Sequence, residues 1–229
     1  MHLFLLTLPT LAAATALTPR QKPSGACSAV HLFLARGAGD PYPGTQGPLV
    51  PAVCDTLPSC DHEDILYVGT FDRVCNSVQI GVANATSQIT AYAARCPESK
   101  LVLCGHSEGA AVIGNTIGGG STSFPGCQMP ATTGLDPDSS PGNTIRAVAL
   151  TGDMRHAASQ SYNVGTGAAR SGIWVRSATE LQGLNKWATK IRSWCDSGDP
   201  VCAGGSNVQA HGAYMNIKAE IAAWIHSML

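Results

Sequence analysis

Apolar residues along this chain alternate between short continuous runs and helical spacings. Runs of strand length stand at Val30–Ala35, Ile65–Val68, Leu101–Cys104 and Ala147–Thr151, with Ile191–Trp194 as a fifth. They are apolar at consecutive positions, as a strand covered on both faces must be. Between them Val78, Val82, Ala85, Ile89 and Ala93 recur every three or four residues, and a helix-forming segment from Ala110 to Ile117 follows Leu101–Cys104. Near the end Ile217, Ile221, Trp224, Ile225 and Met228 form one stripe with Lys218 and Glu220 off it, the pattern of a docked terminal helix. Strands alternating with helices predict an α/β fold, a three-layer sandwich around a central, mainly parallel five-stranded sheet. The Gly-, Ser-, Thr- and Pro-rich stretch 118–143 has no period and reads as a long surface connection.

Length and composition narrow the class. The chain has 229 residues, 44% hydrophobic and 13% charged, which suits one domain with a substantial core. Lys plus Arg number 14 and Asp plus Glu 15, a formal net charge of −1, and no block of like charges occurs. A nucleic-acid partner is therefore not expected. Residues 3–17 are apolar and end in Ala14-Thr15-Ala16, a run short of the ~20 residues that span a bilayer. That predicts a cleaved signal over 1–16, a polar segment over 17–26 and a single domain over 27–229, exported to the extracellular space and not held at a membrane after cleavage. The nine cysteines then imply disulfides with at least one thiol left over, assigned to Cys104 inside its apolar run. Asn84-Ala85-Thr86 is a glycosylation sequon, which makes Asn84 a candidate site.

The sharpest chemical signal is Gly105-His106-Ser107-Glu108-Gly109. A Gly-x-Ser-x-Gly pentapeptide alone is common, but here an apolar strand precedes it and a helix follows, the order a nucleophile elbow requires. A Cβ at 105 or 109 would collide with neighbouring backbone in so tight a turn. Ser107 would then stand at the carboxyl edge of the sheet, where such folds bind ligands. A serine hydroxyl needs a base, and the base an orienting acceptor. Of the downstream histidines, His211 lies in a Gly-rich loop before the last helix, whereas His226 lies on that helix and His156 close behind a strand. Upstream of His211, Cys195-Asp196-Ser197-Gly198-Asp199-Pro200-Val201-Cys202 can close a small ring around a carboxylate. Asp199 is preferred to Asp196 because Gly198 permits a turn that aims it inward. The order Ser107, Asp199, His211 is that of α/β hydrolases.

These blocks, with Ala35-Arg36-Gly37 after the first strand and the tract Thr151-Gly152-Asp153 through Tyr162-Asn163-Val164-Gly165-Thr166, resemble the cutinase and acetylxylan esterase family, exported serine esterases of fungi and some bacteria. The last tract is more similar to the acetylxylan esterase branch. The resemblance implies a minimal α/β-hydrolase fold, with Ser107 as nucleophile, Asp199 as acid and His211 as base. It also implies disulfides Cys27–Cys96 and Cys195–Cys202. For the remaining cysteines, Cys54 with Cys60 and Cys75 with Cys127 is one connectivity among several.

Two departures bear on the oxyanion hole, whose backbone donors would be Glu108 and Ala38. The family commonly carries Gln after the nucleophile, and an ionised Glu108 would disfavour a nearby oxyanion. Where a Ser or Thr often adds a hydroxyl, this chain has Ala38, so only the backbone N–H remains unless Thr45 is recruited by rearrangement. His106 reads as a packed side chain, Asp153 as a loop tie, Asp40 and Asp136 as turn residues, and the four tryptophans as packing rather than a sugar platform. No metal or other cofactor is expected. The expected activity is hydrolysis of carboxylic esters in plant cell-wall polymers through an acyl-enzyme, acetylated xylan first and aliphatic polyester such as cutin second, by a monomer. The altered oxyanion region also admits a reading of another class, a catalytically weak exported binding protein on an esterase scaffold.

Overall fold

The computed structural model describes residues 26–121, 123–124 and 127–229, with backbone alone at 123, 124 and 127. The expected signal and all but the last residue of the polar segment lie outside them. In chain order the elements are β1 (Val30–Ala35), α1 (Leu49–Cys54), β2 (Cys60–Asp64), α2 (Val74–Arg95), β3 (Lys100–His106), α3 (Glu108–Gly118), β4 (Ser123–Phe124), β5 (Cys127–Gln128), β6 (Ile145–Thr151), β7 (Asn163–Val164), α4 (Ala178–Asn185), β8 (Ile191–Trp194), α5 (Val208–Gly212) and α6 (Lys218–Met228). β4 and β5 form a small hairpin within the connection after α3. The main sheet runs β2-β1-β3-β6-β8-β7, and every pairing in it is parallel.

Alternation along the strands builds the two flanking layers. Phe33, Ala35, Leu101, Leu103, Val148 and Leu150 pack with α2 and α3. Leu32, Leu34, Val102, Cys104, Ala147 and Ala149 pack with α1 and α6. Each fully buried Leu, Val or Phe contributes roughly 1.5–3 kcal/mol relative to exposure, so both layers are held by the same apolar strands. Cys104 is a free, buried thiol, and burial pushes its pKa up to about 12.

Two strand expectations are corrected. The sheet has six strands rather than five, because two residues of the 162–166 tract, Asn163 and Val164, add β7 at the edge beside β8. Two residues are too few to leave a period in the sequence. The second strand is Cys60–Asp64, not Ile65–Val68. As an edge strand it uses polar side chains: Asp61 Oδ1 bonds to Nδ1 of the buried His31 at 2.5 Å, and the His31 ring stacks on Tyr92 at 3.8 Å. The Ile65 N–H gives a bond to the Leu34 carbonyl at 2.8 Å, and Ile65 and Tyr67 then turn into the core.

Disulfides join Cys27 to Cys96, Cys54 to Cys60 and Cys195 to Cys202. Cys75 is also disulfide-bonded, and the Cys127 side chain expected opposite it lies outside the described residues. Asp153 ties a loop as expected: its Oδ2 accepts from Arg176 Nη1 at 2.5 Å. Beside it Arg155 donates to Glu180 and Asn115, both at 2.7 Å, in a buried polar cluster against α3.

Candidate active site

Ser107 joins β3 to α3 with φ 55° and ψ −118°, a conformation that costs a non-glycine residue about 1–3 kcal/mol and is kept only where neighbours enforce it. Here the Ser107 N–H donates to the Thr151 carbonyl at 2.9 Å, locking the turn to the end of β6. A Cβ on Gly109 would lie 1.8 Å from the Ala35 carbonyl oxygen, and one on Gly105 2.5 Å from the Gly109 carbonyl oxygen. The two glycines therefore let the first turn of α3 sit directly against the end of β1, as their spacing in the sequence led us to expect.

The three side chains expected to meet do so. His211 Nε2 lies 2.9 Å from Ser107 Oγ, and its Nδ1 lies 2.9 Å from Asp199 Oδ2 and 3.1 Å from Oδ1. Asp199 is wholly buried, while the His211 side chain keeps 20% of its surface exposed. His211 sits in the short helix α5 and not in a loop, with Asn207 capping that helix by accepting from the Gln209 N–H at 3.2 Å. The turn that aims Asp199 differs from the expectation too. Gly198 is not left-handed; instead Asp196 Oδ1 accepts its N–H at 2.7 Å, so the Asp196 side chain shapes the ring.

Within that ring Asp199 collects donors. Tyr214 O–H donates to Oδ2 at 2.6 Å, and the N–H groups of Val201 and Cys202 donate to Oδ1 at 2.7 and 3.3 Å. Burial alone would raise the Asp199 pKa. The hydrogen bonds from His211 and Tyr214 outweigh it, and the net shift is downward. Tyr214 was not anticipated: in sequence it is one aromatic among several near the terminal helix, and only the fold places its hydroxyl on the carboxylate.

His106 is buried and packed, with Nδ1 3.1 Å from Thr151 Oγ1, and burial followed by the nearby His211 brings its pKa down to about 4. Glu108 is the first residue of α3, so its N–H has no intrahelical partner. Ala38 lies on the loop after β1, whose shape is set by Asp40: Oδ2 accepts from Gly37 N–H at 3.3 Å, Thr45 N–H at 3.1 Å and Thr45 Oγ1 at 2.9 Å. The Thr45 hydroxyl is thus committed to Asp40, against the suggestion that it could be recruited. Asn84 stands within α2 with its side-chain N–H₂ donating to the Leu66 carbonyl, a bond that a glycan on that nitrogen would have to displace.

A parallel sheet wrapped by helices, carrying a strand–Ser–helix elbow at its carboxyl edge, places the chain among the α/β hydrolases. Similarity to known proteins narrows this further. The Cutinase family model matches residues 26–229, and the chain belongs to that family. It is 32% identical to acetylxylan esterase 2 of Talaromyces purpureogenus over 197 residues, 82% of this chain and 81% of that protein. It is 30% identical to cutinase 11 of Verticillium dahliae over 227 residues, 95% and 73% of the two chains. The catalytic core of an acetyl xylan esterase from Trichoderma reesei superposes with a TM-score of 0.77 at 28% identity, covering 89% of this chain and all of the other. The protein is a carboxylic ester hydrolase.

Proposed function

We propose that the protein is an exported serine esterase that removes acetyl groups from xylan, with Ser107, His211 and Asp199 as its catalytic residues. The observation that carries this reading is the unbroken chain Ser107 Oγ, His211 Nε2 and Nδ1, Asp199 Oδ2, at 2.9 Å for each link. His211 Nε2 takes the hydroxyl proton while Ser107 Oγ attacks the ester carbonyl, and Asp199 holds the imidazolium that forms. The N–H groups of Glu108 and Ala38 donate to the oxyanion. As the tetrahedral species collapses, the proton on His211 goes to the leaving sugar oxygen. Water activated by the same imidazole then releases acetate from the acyl-serine. The choice of acetylxylan follows the Talaromyces relative and the tract after Thr151; the disulfides fit an oxidising, extracellular setting.

A second reading, hydrolysis of aliphatic polyester, is favoured by one observation. Val68 and Phe71 after β2 and Ile173 and Val175 after β7 are exposed apolar side chains on loops, and Val208 is another at the start of the helix that carries His211. A fluorophosphonate probe should label the protein and fail to label Ser107→Ala. Acetate released from acetylxylan with no fatty acid from cutin supports the first reading, and the opposite pattern supports the second. Absence of labelling and of p-nitrophenyl acetate hydrolysis overturns both in favour of a binding protein.

A further inference from the structure

Glu108 follows the nucleophile directly and has no exposed surface. Neither of its carboxyl oxygens makes a hydrogen bond of ordinary geometry. The groups that face it are Arg36 from the end of β1, Tyr67 and the Thr70 peptide after β2, and the Ser77 hydroxyl from α2. Both terminal nitrogens of Arg36 are occupied elsewhere, and its buried Nε makes no hydrogen bond. Its Nη1 donates to the Asp40 carbonyl at 2.6 Å, and its Nη2 to the Tyr67 and Val68 carbonyls at 2.8 and 2.5 Å. The guanidinium packs on Gly69, left-handed at φ +63°, where a Cβ would come within 2.4 Å of Nη1. It therefore pins the loop that carries Ala38 to the loop that carries Phe71, at the base of the elbow. The charge of Arg36 also acts on Asp64, a second buried carboxyl with an unbonded Oδ1, which burial pushes up to about 6 against that pull.

Arg36 thus acts on two buried carboxyls that have few donors of good geometry, and a buried carboxylate so poorly supported takes a proton rather than keep its charge. Burial raises Glu108 to about 7, against the downward pulls of Ser77, Arg36 and Thr70. We propose that Glu108 is a positioning residue for acyl transfer that works in its protonated form: as a neutral acid it stays buried beside Arg36 without opposing the oxyanion, whereas as a carboxylate it repels the oxyanion and draws Arg36 from the loop carbonyls. This rests on the serine-esterase reading. A fixed negative charge on the residue whose own N–H is proposed to hold the oxyanion acts through a buried medium of low dielectric, where it opposes developing negative charge strongly. Glutamine, with nearly the same shape and no charge, isolates the effect of that carboxyl's ionisation.

The test compares the full chain with Glu108→Gln across pH in two readouts. The first is thermal unfolding. A carboxyl raised from 4.5 to about 7 on folding adds stability that is fully present below 4.5 and lost as pH rises through 7. The Tm advantage of Glu108→Gln over wild type should grow between those values and then stay level. The second is kcat/KM on p-nitrophenyl acetate, corrected for spontaneous hydrolysis. Wild type should fall about tenfold between roughly pH 6.5 and 8.5, and Glu108→Gln less than about twofold. A constant Tm gap, or parallel kinetic profiles, overturns the proposal. Should the Glu108→Gln substitution prevent folding, the infrared band of a buried protonated carboxyl must persist in Asp64→Asn and vanish with the midpoint of the activity loss; no such band at pH 6 in that variant is again fatal. Fluorophosphonate labelling with parallel profiles overturns this inference alone, whereas no labelling at any pH overturns the esterase reading and takes the inference with it.

Discussion

Asp199 and Glu108 are both wholly buried beside the machinery around Ser107, yet the fold treats them in opposite ways. Asp199 receives hydrogen bonds from His211, Tyr214 and two backbone N–H groups, and its pKa falls below the ordinary carboxylate value. Glu108 has no comparable donors, and its pKa rises to about 7. Burial penalises charge in both, so the donors and neighbouring charges together decide which carboxyl stays ionised. In the proposed mechanism each state is useful where it occurs: a negative charge behind the imidazolium, and none behind the oxyanion.

The largest effect should come from making the ionised partner resemble the neutral one. Asp199→Asn keeps the volume but presents an amide to His211 Nδ1, which favours the wrong tautomer and leaves the imidazolium uncompensated. We expect kcat on p-nitrophenyl acetate to fall about 10⁴-fold with the far-UV circular dichroism unchanged. A loss below about tenfold would mean that Asp199 is not the orienting acid.

What could be read from sequence and what could not divides along the same line. Ser107 was legible because the elbow is local: strand, turn and helix adjoin, and Gly105 and Gly109 announce the close packing that Ala35 then supplies. Asp199 was legible because two cysteines bracket it, although the turn is shaped by Asp196 and not by Gly198. Strand β2 was misplaced because an edge strand can satisfy Asp61 with His31 from the neighbouring strand, so its apolar content is low. The donor inventories were not legible at all. Tyr214 reaches Asp199 from fifteen residues away, and Arg155 reaches Glu180 across twenty-five, distances closed only by the folded topology. Nor does a glutamate at the start of a helix, normally a solvated partner of the helix dipole, suggest complete burial.

Removing one donor from Asp199 should move it part of the way toward the condition of Glu108. Tyr214→Phe deletes the 2.6 Å hydrogen bond to Oδ2 and also orphans the Asp196 N–H, which the same hydroxyl accepts at 3.0 Å. The expected loss is about 1–3 kcal/mol at pH 7, measured by denaturant unfolding. Because the folded pKa of Asp199 is lowered, its stabilisation is present above the ordinary value of 3.8 and lost as pH falls through the folded one. The gap between variant and wild type should therefore narrow toward pH 3. An unchanged gap would show that the hydroxyl matters through the Asp196 peptide and not through the carboxylate.

The smallest effect concerns the weak donor that Glu108 does have nearby. The Ser77 hydroxyl accepts from the Gly69 N–H at 2.8 Å, and its own proton is free to turn toward the Glu108 carboxyl, where it favours the charged form. Ser77→Ala removes that support, so Glu108 should hold its proton to higher pH and the alkaline fall in kcat/KM should move upward by less than about one pH unit. The price in stability is an orphaned Gly69 N–H, roughly 1 kcal/mol or more at every pH, and it should grow as pH rises through about 7, where the ionised Glu108 also loses the hydroxyl's support. A midpoint that moves downward instead would mean that the hydroxyl had been accepting from a protonated Glu108. The neutral acid would then have a partner in Ser77, and the contrast with Asp199 would lie in which form the donors and acceptors favour rather than in their number.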